Sequence, residues 1–548
     1  MGQVWGVDAV AKSVSTSFYG NIVSLVESPV KEGLIYAGTD DGLIQVTDDG
    51  GTNWRKIEKF PDIPEMTYVS FLAASQHNAN TIYAAFDNHQ NADFHPYLLK
   101  SDDAGRSWTS IKGNLPERGT VYSIAEDFVN KNLLFAGTEF GVFFTIDGGK
   151  KWVQLKGGLP TIAVRDIAIQ KRECDLVLGT FGRSFYILDE YSPLRTITPD
   201  MLSTESQLFP TKSALMYIEA RPYGLKGKSF LGESFYTAEN PPFGATFTYY
   251  LKESLKTRKE IRQQREKEML KKKETPPYPT FDELRAEDEE EKPAIVLTVT
   301  DEAGNVVRTL NGPIAKGMNR VAWDLRYAPL TPAKLKPDQP DPFTESDQSP
   351  LAMPGTYKVS VSKRVDGVMT QLVGPQSFTT SVLSMPVLPA EDRNTLVAFQ
   401  RKVAGLQRAV LGASRAVDDI KTRIALIKRA LLNTQAPTAT LGADVDKLEA
   451  GLGEITRALR GDRSISSRNE PTPPSILDRV NGIVDDQWQS TGAPTQTQMD
   501  AYSIAGDEFT PVLARLHSLV DTDLKNIETN MESLGAPWTP GRIPEWKK

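Results

Sequence analysis

An eight-residue pattern occurs three times in the first third of the chain. The copies read Thr47-Asp-Asp-Gly-Gly-Thr-Asn-Trp54, Ser101-Asp-Asp-Ala-Gly-Arg-Ser-Trp108 and Thr145-Ile-Asp-Gly-Gly-Lys-Lys-Trp152. Each places a hydroxyl residue first, then Asp, Gly and Trp in fixed order: Thr47, Asp49, Gly51, Trp54; Ser101, Asp103, Gly105, Trp108; Thr145, Asp147, Gly149, Trp152. They start 54 and then 44 residues apart. A repeat of that period means one supersecondary unit stacked on itself. Each copy lies between apolar runs, which places it at the tip of a β-hairpin. The Asp carboxylate can accept hydrogen bonds from its own turn. The Gly can take positive φ. The Trp is expected to bury a flat apolar surface against a neighbouring sheet.

The segments upstream of the copies repeat as well. Ile35-Tyr-Ala-Gly-Thr-Asp-Asp-Gly42 and Leu134-Phe-Ala-Gly-Thr-Glu-Phe-Gly141 are one strand and turn written twice. Val177-Leu-Gly-Thr-Phe-Gly-Arg-Ser-Phe-Tyr-Ile-Leu188 gives it once more, but Asp189-Glu190 follows with no eight-residue copy. The pattern resembles the Asp-box (BNR) repeat of sialidases, sortilin-type receptors and xyloglucanase-like hydrolases. The chain as a whole resembles the C-terminal portion of large bacterial sortilin-like, "glycosyl hydrolase BNR repeat" proteins. The resemblance implies a β-propeller and, in that family, similar sequence further upstream. Four repeats are few for a closed ring, since propellers have typically four to eight blades and the related families use more than four. A partial propeller is therefore expected over 1–205, the remaining blades coming from an upstream segment of a longer protein or from another chain.

Composition excludes several function classes. A net charge of −7 over 548 residues gives no basic face for nucleic acid. No apolar run reaches the length of a membrane span. Met1-Gly-Gln-Val-Trp-Gly-Val-Asp8 lacks the basic and apolar regions of a signal peptide, so export would belong to a longer, secreted or periplasmic protein. The single cysteine, Cys174, in an apolar stretch, reads as a small buried side chain.

Beyond the repeats the character changes. Over 206–385, Ala245–Leu251, Ile295–Thr300 and Tyr357–Ser362 alternate apolar and polar residues as half-buried strands do. Asp301-Glu-Ala-Gly-Asn305 is a hairpin turn. Gly317 to Asp324 and Pro354 to Tyr357 resemble an Ig-like sandwich. Residues 252–292 form a charge-dense arm without an apolar stripe, read as a solvated helical hairpin. Over 386–548 the period becomes helical. Leu396, Phe399, Val403, Leu406, Val410, Ala413, Val417, Ile420, Ile424, Ile427 and Leu431 step by three and four, and later segments repeat the stripe. An antiparallel helical bundle is expected, with a coiled-coil dimer as rival.

Candidate chemistry is sparse. Asp49, Asp103 and Asp147 recur in every copy, as a turn-locking acid must and a catalytic acid need not. No catalytic residue is assigned. The turns at Asp40 and Asp41, at Glu139 and at Arg183 sit at matching places in three blades and, with Arg165 nearby as a further candidate, could face one shared ligand surface. Asp87, His89, Asp93 and His95 form Asp-x-His twice within a polar insertion. These residue types suit Zn²⁺, but their spacing matches no established site, so no metal and no cofactor is assigned. The favoured function is a non-catalytic recognition or assembly module binding protein or glycan. The alternatives are a glycoside hydrolase with part of its propeller elsewhere, which would need two carboxylates across one sugar, and a structural oligomerisation piece.

Overall fold

The computed structural model describes residues 20–219, 232, 236–333, 349–383, 392–546 and 548. Residues 1–8, where a signal peptide was sought, and the boundary expected at 385/386 lie outside that set. The chain divides into two compact units, Met1–Thr204 and Glu205–Lys548.

The first unit is four sheets in chain order. The first sheet is β1 (Ile22–Glu27), β2 (Ile35–Thr39), β3 (Ile44–Thr47) and β4 (Arg55–Ile57). The second is β5 (Tyr68–Ala74), β6 (Ile82–Asn88), β7 (Asp93–Ser101) and β8 (Thr109–Ser110). The third is β9 (Val121–Glu126), β10 (Leu134–Thr138), β11 (Gly141–Thr145) and β12 (Val153–Gln154). The fourth has three strands, β13 (Val164–Gln170), β14 (Asp175–Thr180) and β15 (Phe185–Leu188). Every sheet is an antiparallel meander. Successive sheets pack through their first strands, β1 on β5, β5 on β9 and β9 on β13. These sheets are propeller blades, and three apolar clusters fill the three interfaces between them.

The eight-residue copies are the turns after β3, β7 and β11. Thr47 Oγ1 donates to Asp49 at 2.8 Å, and the Gly51 N–H donates back to Thr47 Oγ1 at 2.9 Å. Asp49 also accepts from the backbone and side chain of Asn53, and those bonds hold its carboxyl down at about 2. Ser101, Asp103, Gly105 and Ser107 repeat this arrangement, as do Thr145, Asp147, Gly149 and Lys151. Each loop is also tied to the β1–β2 type loop of its own blade. The bonds are Gly50 N to Gly33 O, Ala104 N to Asn80 O and Gly148 N to Asn132 O.

The fourth blade has no such loop. The chain after β15 instead sends Tyr191 and Arg195 back to Asp127 of the third blade, at 2.7 Å each. Asp127 is fully buried and also accepts from the backbone of Asn130. Cys174 is half-buried, in the turn between β13 and β14, with φ of +59° rather than on a strand. It is therefore a turn residue and not the core side chain expected.

In the second unit, β16 (Ser206–Leu208) and β17 (Ala214–Met216) precede β18 (Ala245–Leu251), β19 (Ala294–Asp301), β20 (Val306–Gly312), β21 (Gly317–Trp323), β22 (Gly355–Val365) and β23 (Val368–Val382). They make two sheets, β16-β18-β21 and β17-β23-β22-β19-β20, around one aromatic-rich core holding Phe247, Trp323, Tyr357 and Phe378. The charged arm is α1 (Arg258–Lys271) and α2 (Phe281–Asp288). Capping boxes at Thr257 and Thr280 start both helices, and neither helix has a buried residue. Arg262 joins them through Glu287 at 2.6 Å. The helices α3 (Arg393–Leu432), α4 (Ala439–Arg460), α5 (Arg463–Ser466), α6 (Ile476–Trp488), α7 (Gln496–Ser518) and α8 (Lys525–Ser533) follow. All but α5 contribute to one apolar core, which takes in the stripe of α3 from Val403 to Leu431.

Candidate functional site

The eight-residue loops and the sequence candidates lie at opposite ends of the blades. β3 runs from the Asp40–Gly42 turn at one end to the Thr47–Trp54 loop at the other. The turns at Asp40, Glu139 and Phe181 are equivalent, because each is pinned to the start of its own blade. Asp40 N donates to Asn21 O, Glu139 N to Thr120 O and Phe181 N to Ala163 O, at 2.9–3.1 Å. In the second blade the same place holds the insertion, as a 3₁₀ turn His89–Asn91 between β6 and β7.

A further feature repeats at this end. The first strand of each blade carries a β-bulge at one position. Ile22 pairs with Thr39 and Ser24 with Gly38, leaving Val23 extra. Ser70, Tyr122 and Arg165 are the extra residues of β5, β9 and β13. A bulge re-aims the side chain it carries and interrupts the local pairing. Four re-aimed residues from neighbouring first strands therefore share one rim. Contacts run along it from blade to blade. Ser70 Oγ donates to Val121 O at 3.1 Å. The Arg165 guanidinium stacks 3.7 Å above the Tyr122 ring and 5.3 Å from the ring of Phe181. Tyr122 in turn donates to Glu139. Burial raises the Tyr122 hydroxyl well above its ordinary range, and the Glu139 and Asp87 carboxylates push the same way while Arg165 opposes them. Tyr68 is raised by burial, then by Asp40 and Asp87. Arg165, Tyr122 and Glu139 are thus in direct contact across two neighbouring blades.

The carboxylates on this rim are engaged in holding it. Asp40 accepts from Gly20 N, Asn21 N and Asn21 Nδ2 at 2.7–3.0 Å. Asp41 accepts from Thr39 Oγ1. Asp87 is buried, with His89 Nδ1 2.7 Å from both its oxygens. Asp93 accepts from Asn88 Nδ2, Tyr97 and the backbone of His95, and His95 Nδ1 lies 2.6 Å away. Burial raises its pKa, but these bonds outweigh burial and hold it well below the usual range. The two Asp–His pairs are therefore separate. Among the described residues no three His, Cys, Asp or Glu side chains converge as a metal site would require. Arg183 is exposed on the turn that carries Phe181.

The structure thus brings Glu139 and Arg165 together through Tyr122 and leaves Asp40 and Asp41 on the first blade's turn, bonded to Gly20, Asn21 and Thr39. Tyr122 and Ser70 carried no motif, and Phe181 lay in the repeated Val177–Leu188 segment without being singled out. The bulge that presents Tyr122 and Ser70 has no residue signature in a period-two strand pattern.

No family model and no curated protein sequence matches the chain. Solved structures similar to it are propeller proteins. The YCF48 structure bound to a D1 peptide is 16% identical, with 35% of this chain and 58% of that one covered and a TM-score of 0.24. The GH74 xyloglucanase from Xanthomonas campestris is 12% identical, with 31% and 29% covered and a TM-score of 0.25. An ancestral GH74 enzyme is 15% identical, with 69% and 43% covered and a TM-score of 0.27. The chain spans from under a third to under three-fifths of the length of these structures. The blade assignment rests on the strand registers above. Among the described residues no helix is long and apolar enough to cross a membrane.

Proposed function

We propose that this chain is a non-catalytic recognition module that binds a protein or glycan on the bulge rim of its propeller blades. It would act within an exported bacterial protein of the Asp-box type, with the second unit as an Ig-like sandwich and helical bundle serving assembly. One observation carries the reading. An identical backbone device, the first-strand bulge, recurs in four blades and carries four unlike residues, Val23, Ser70, Tyr122 and Arg165, of which Arg165 is exposed and Tyr122 is buried against it. A constant scaffold with variable, partly aromatic and cationic side chains is how recognition surfaces are built, and Tyr and Arg dominate binding hot spots. The engaged state of Asp40, Asp41, Asp87 and Glu139 supports binding over catalysis. A general acid and its partner must be available to a substrate.

The test is direct. Binding to a panel of plant and bacterial polysaccharides, xyloglucan included, and to a peptide library would be measured with the full chain and with Arg165→Ala and Tyr122→Phe. The reading expects a ligand whose affinity falls on Arg165→Ala by about tenfold or more, the scale of a hot-spot loss, with the melting temperature kept. Release of new reducing ends from a polysaccharide, abolished by Glu139→Gln, would replace it with the hydrolase reading.

A further inference from the structure

The charged arm sorts its charges by position. α1 is 14 residues long, a rod of about 21 Å at 1.5 Å per residue, and α2 is only 8. Glu290 accepts from the Arg258 backbone N–H at 2.8 Å, and Glu287 takes the Arg262 guanidinium through two bonds, at 2.6 and 2.9 Å. The Thr280 cap holds the Glu283 carboxyl below its ordinary range, and the Arg265 charge adds to that. Steps forward along α1 are therefore steps back along α2. The helices run antiparallel, with α2 beside the first half of α1. Continuing the register puts Phe281, the first residue of α2, beyond Arg265 and toward the far end of α1.

The two ends of the arm differ. At its base, beside the sandwich, the run Glu287 to Glu291 is wholly acidic. Glu287 is held by Arg262, Glu290 by the Arg258 backbone, and Glu291 by Arg364 at 2.7 Å. Asp288 and Glu289 are exposed and make no ion pair among the described residues. At the tip Lys267, Lys271, Lys272 and Lys273 are exposed and equally without an ion pair among the described residues. Glu268 is bonded to Gln264, and Glu274 is the only other acid before Asp282. The same end carries Leu270, Tyr278 and Phe281, which are 61%, 82% and 79% exposed. Single exposed apolar side chains are ordinary, but three large ones at the end of a charged hairpin mark an interaction surface.

The opposite charges of one arm cannot meet. Asp288 follows the partner of Arg262 by one residue, whereas Lys271 lies nine residues past Arg262, about 14 Å along a stiff helix. A second arm laid alongside in reverse brings both ends together at once, tip on base and base on tip. That is the self-complementary arrangement of a two-fold interface. An unlike acidic partner would cover the tip and leave the acidic base bare. We propose that two copies of the chain associate through their charged arms, antiparallel about a two-fold axis. Lys271, Lys272 and Lys273 of each copy face Asp288 and Glu289 of the other, and Leu270, Tyr278 and Phe281 are covered between them. The charges set the orientation, and the apolar side chains supply the area removed from water. This surface belongs to the second unit and does not depend on the rim.

Sedimentation velocity of the full chain at micromolar concentration tests it. The proposal expects a dimer that dissociates as salt rises from about 0.1 M to about 1 M, where the Debye length falls from about 10 Å to about 3 Å. Replacing the tip lysines together, Lys271→Glu, Lys272→Glu and Lys273→Glu, should weaken the dimer by about tenfold or more, because like charges then face each other. Asp288→Lys with Glu289→Lys should do the same. Both sets in one chain should restore the dimer. All variants should keep the melting temperature, since neither helix has a buried residue. A chain that stays monomeric at low salt would overturn the proposal. So would a dimer that the tip and base variants leave unchanged, or one that survives removal of residues 256–292. Tip-dependent binding of the monomer to phosphatidylserine vesicles or to polyglutamate would overturn it in favour of an anionic surface or an acidic protein. A second measurement needs no variant. Carbodiimide coupling of an equal mixture of isotope-labelled and unlabelled chain should join Lys271–Lys273 of one chain to Asp288 or Glu289 of the other. Couplings confined to single chains would contradict it.

Discussion

The interfaces inside the blade array and the two faces at its ends are written in nearly the same residues, yet they end in opposite environments. Val121 and Ile22 hold one position, Val142 and Phe185 another, Trp152 and Trp54 a third. Inside, each is buried; at the ends, each is exposed. The repeat therefore fixes what a position is made of, and the neighbour alone decides what that position contributes. An apolar side chain stabilises in proportion to the area removed from water, at roughly 25 cal/mol per Å². The end residues have not yet collected that contribution.

The largest expected contrast is among the three tryptophans. Trp152→Ala should cost about 3–5 kcal/mol, as for other buried large aromatics. Trp108→Ala should cost less, because Trp108 is half-buried and its Nε1 has no acceptor. Trp54→Ala should cost under about 1 kcal/mol, within the usual range of surface changes. Chemical denaturation of the three variants checks the order, and equal losses would break the comparison. A uniform cost of burial was expected from the sequence, and the exposed Trp54 corrects it.

Smaller but sharper is the glycine pair. Gly137→Ala should destabilise by about 1–3 kcal/mol, the cost of overpacking a filled interface. Its Cβ would run into Ser123 and Val164. Gly179→Ala should be neutral or slightly stabilising in this chain, since nothing on the next blade meets it. A matched loss at Gly179, measured by thermal unfolding, would show that the fourth blade is already covered.

Much of this was legible in the residues. The eight-residue loops, the strands before them, the Asp301–Asn305 turn and the stripe along α3 follow from period, turn chemistry and spacing. Asp49, Asp103 and Asp147 are read alike in every copy because the same local bonds recur. The rim was legible only in part. Matching turns pointed to Asp40, Glu139 and Arg183, but Arg165 stacks on a tyrosine 43 residues earlier in sequence, and that contact exists only because two bulged strands lie side by side. The Asp127–Tyr191–Arg195 cluster escaped for the same reason. It replaces the missing fourth loop with a buried ion pair between blades, and no local pattern announces it.

The central claim is that a repeat position stabilises the blades only where a neighbouring blade covers it. Thermal unfolding of Val142→Asp beside Phe185→Asp tests it most directly. An unpaired charge at a position 1% exposed should unfold the blades or lower their melting temperature by many degrees, because a buried carboxylate without a partner is strongly disfavoured. The same change at Phe185, 72% exposed, should leave the melting temperature unchanged. Equal destabilisation by the two substitutions would contradict the account.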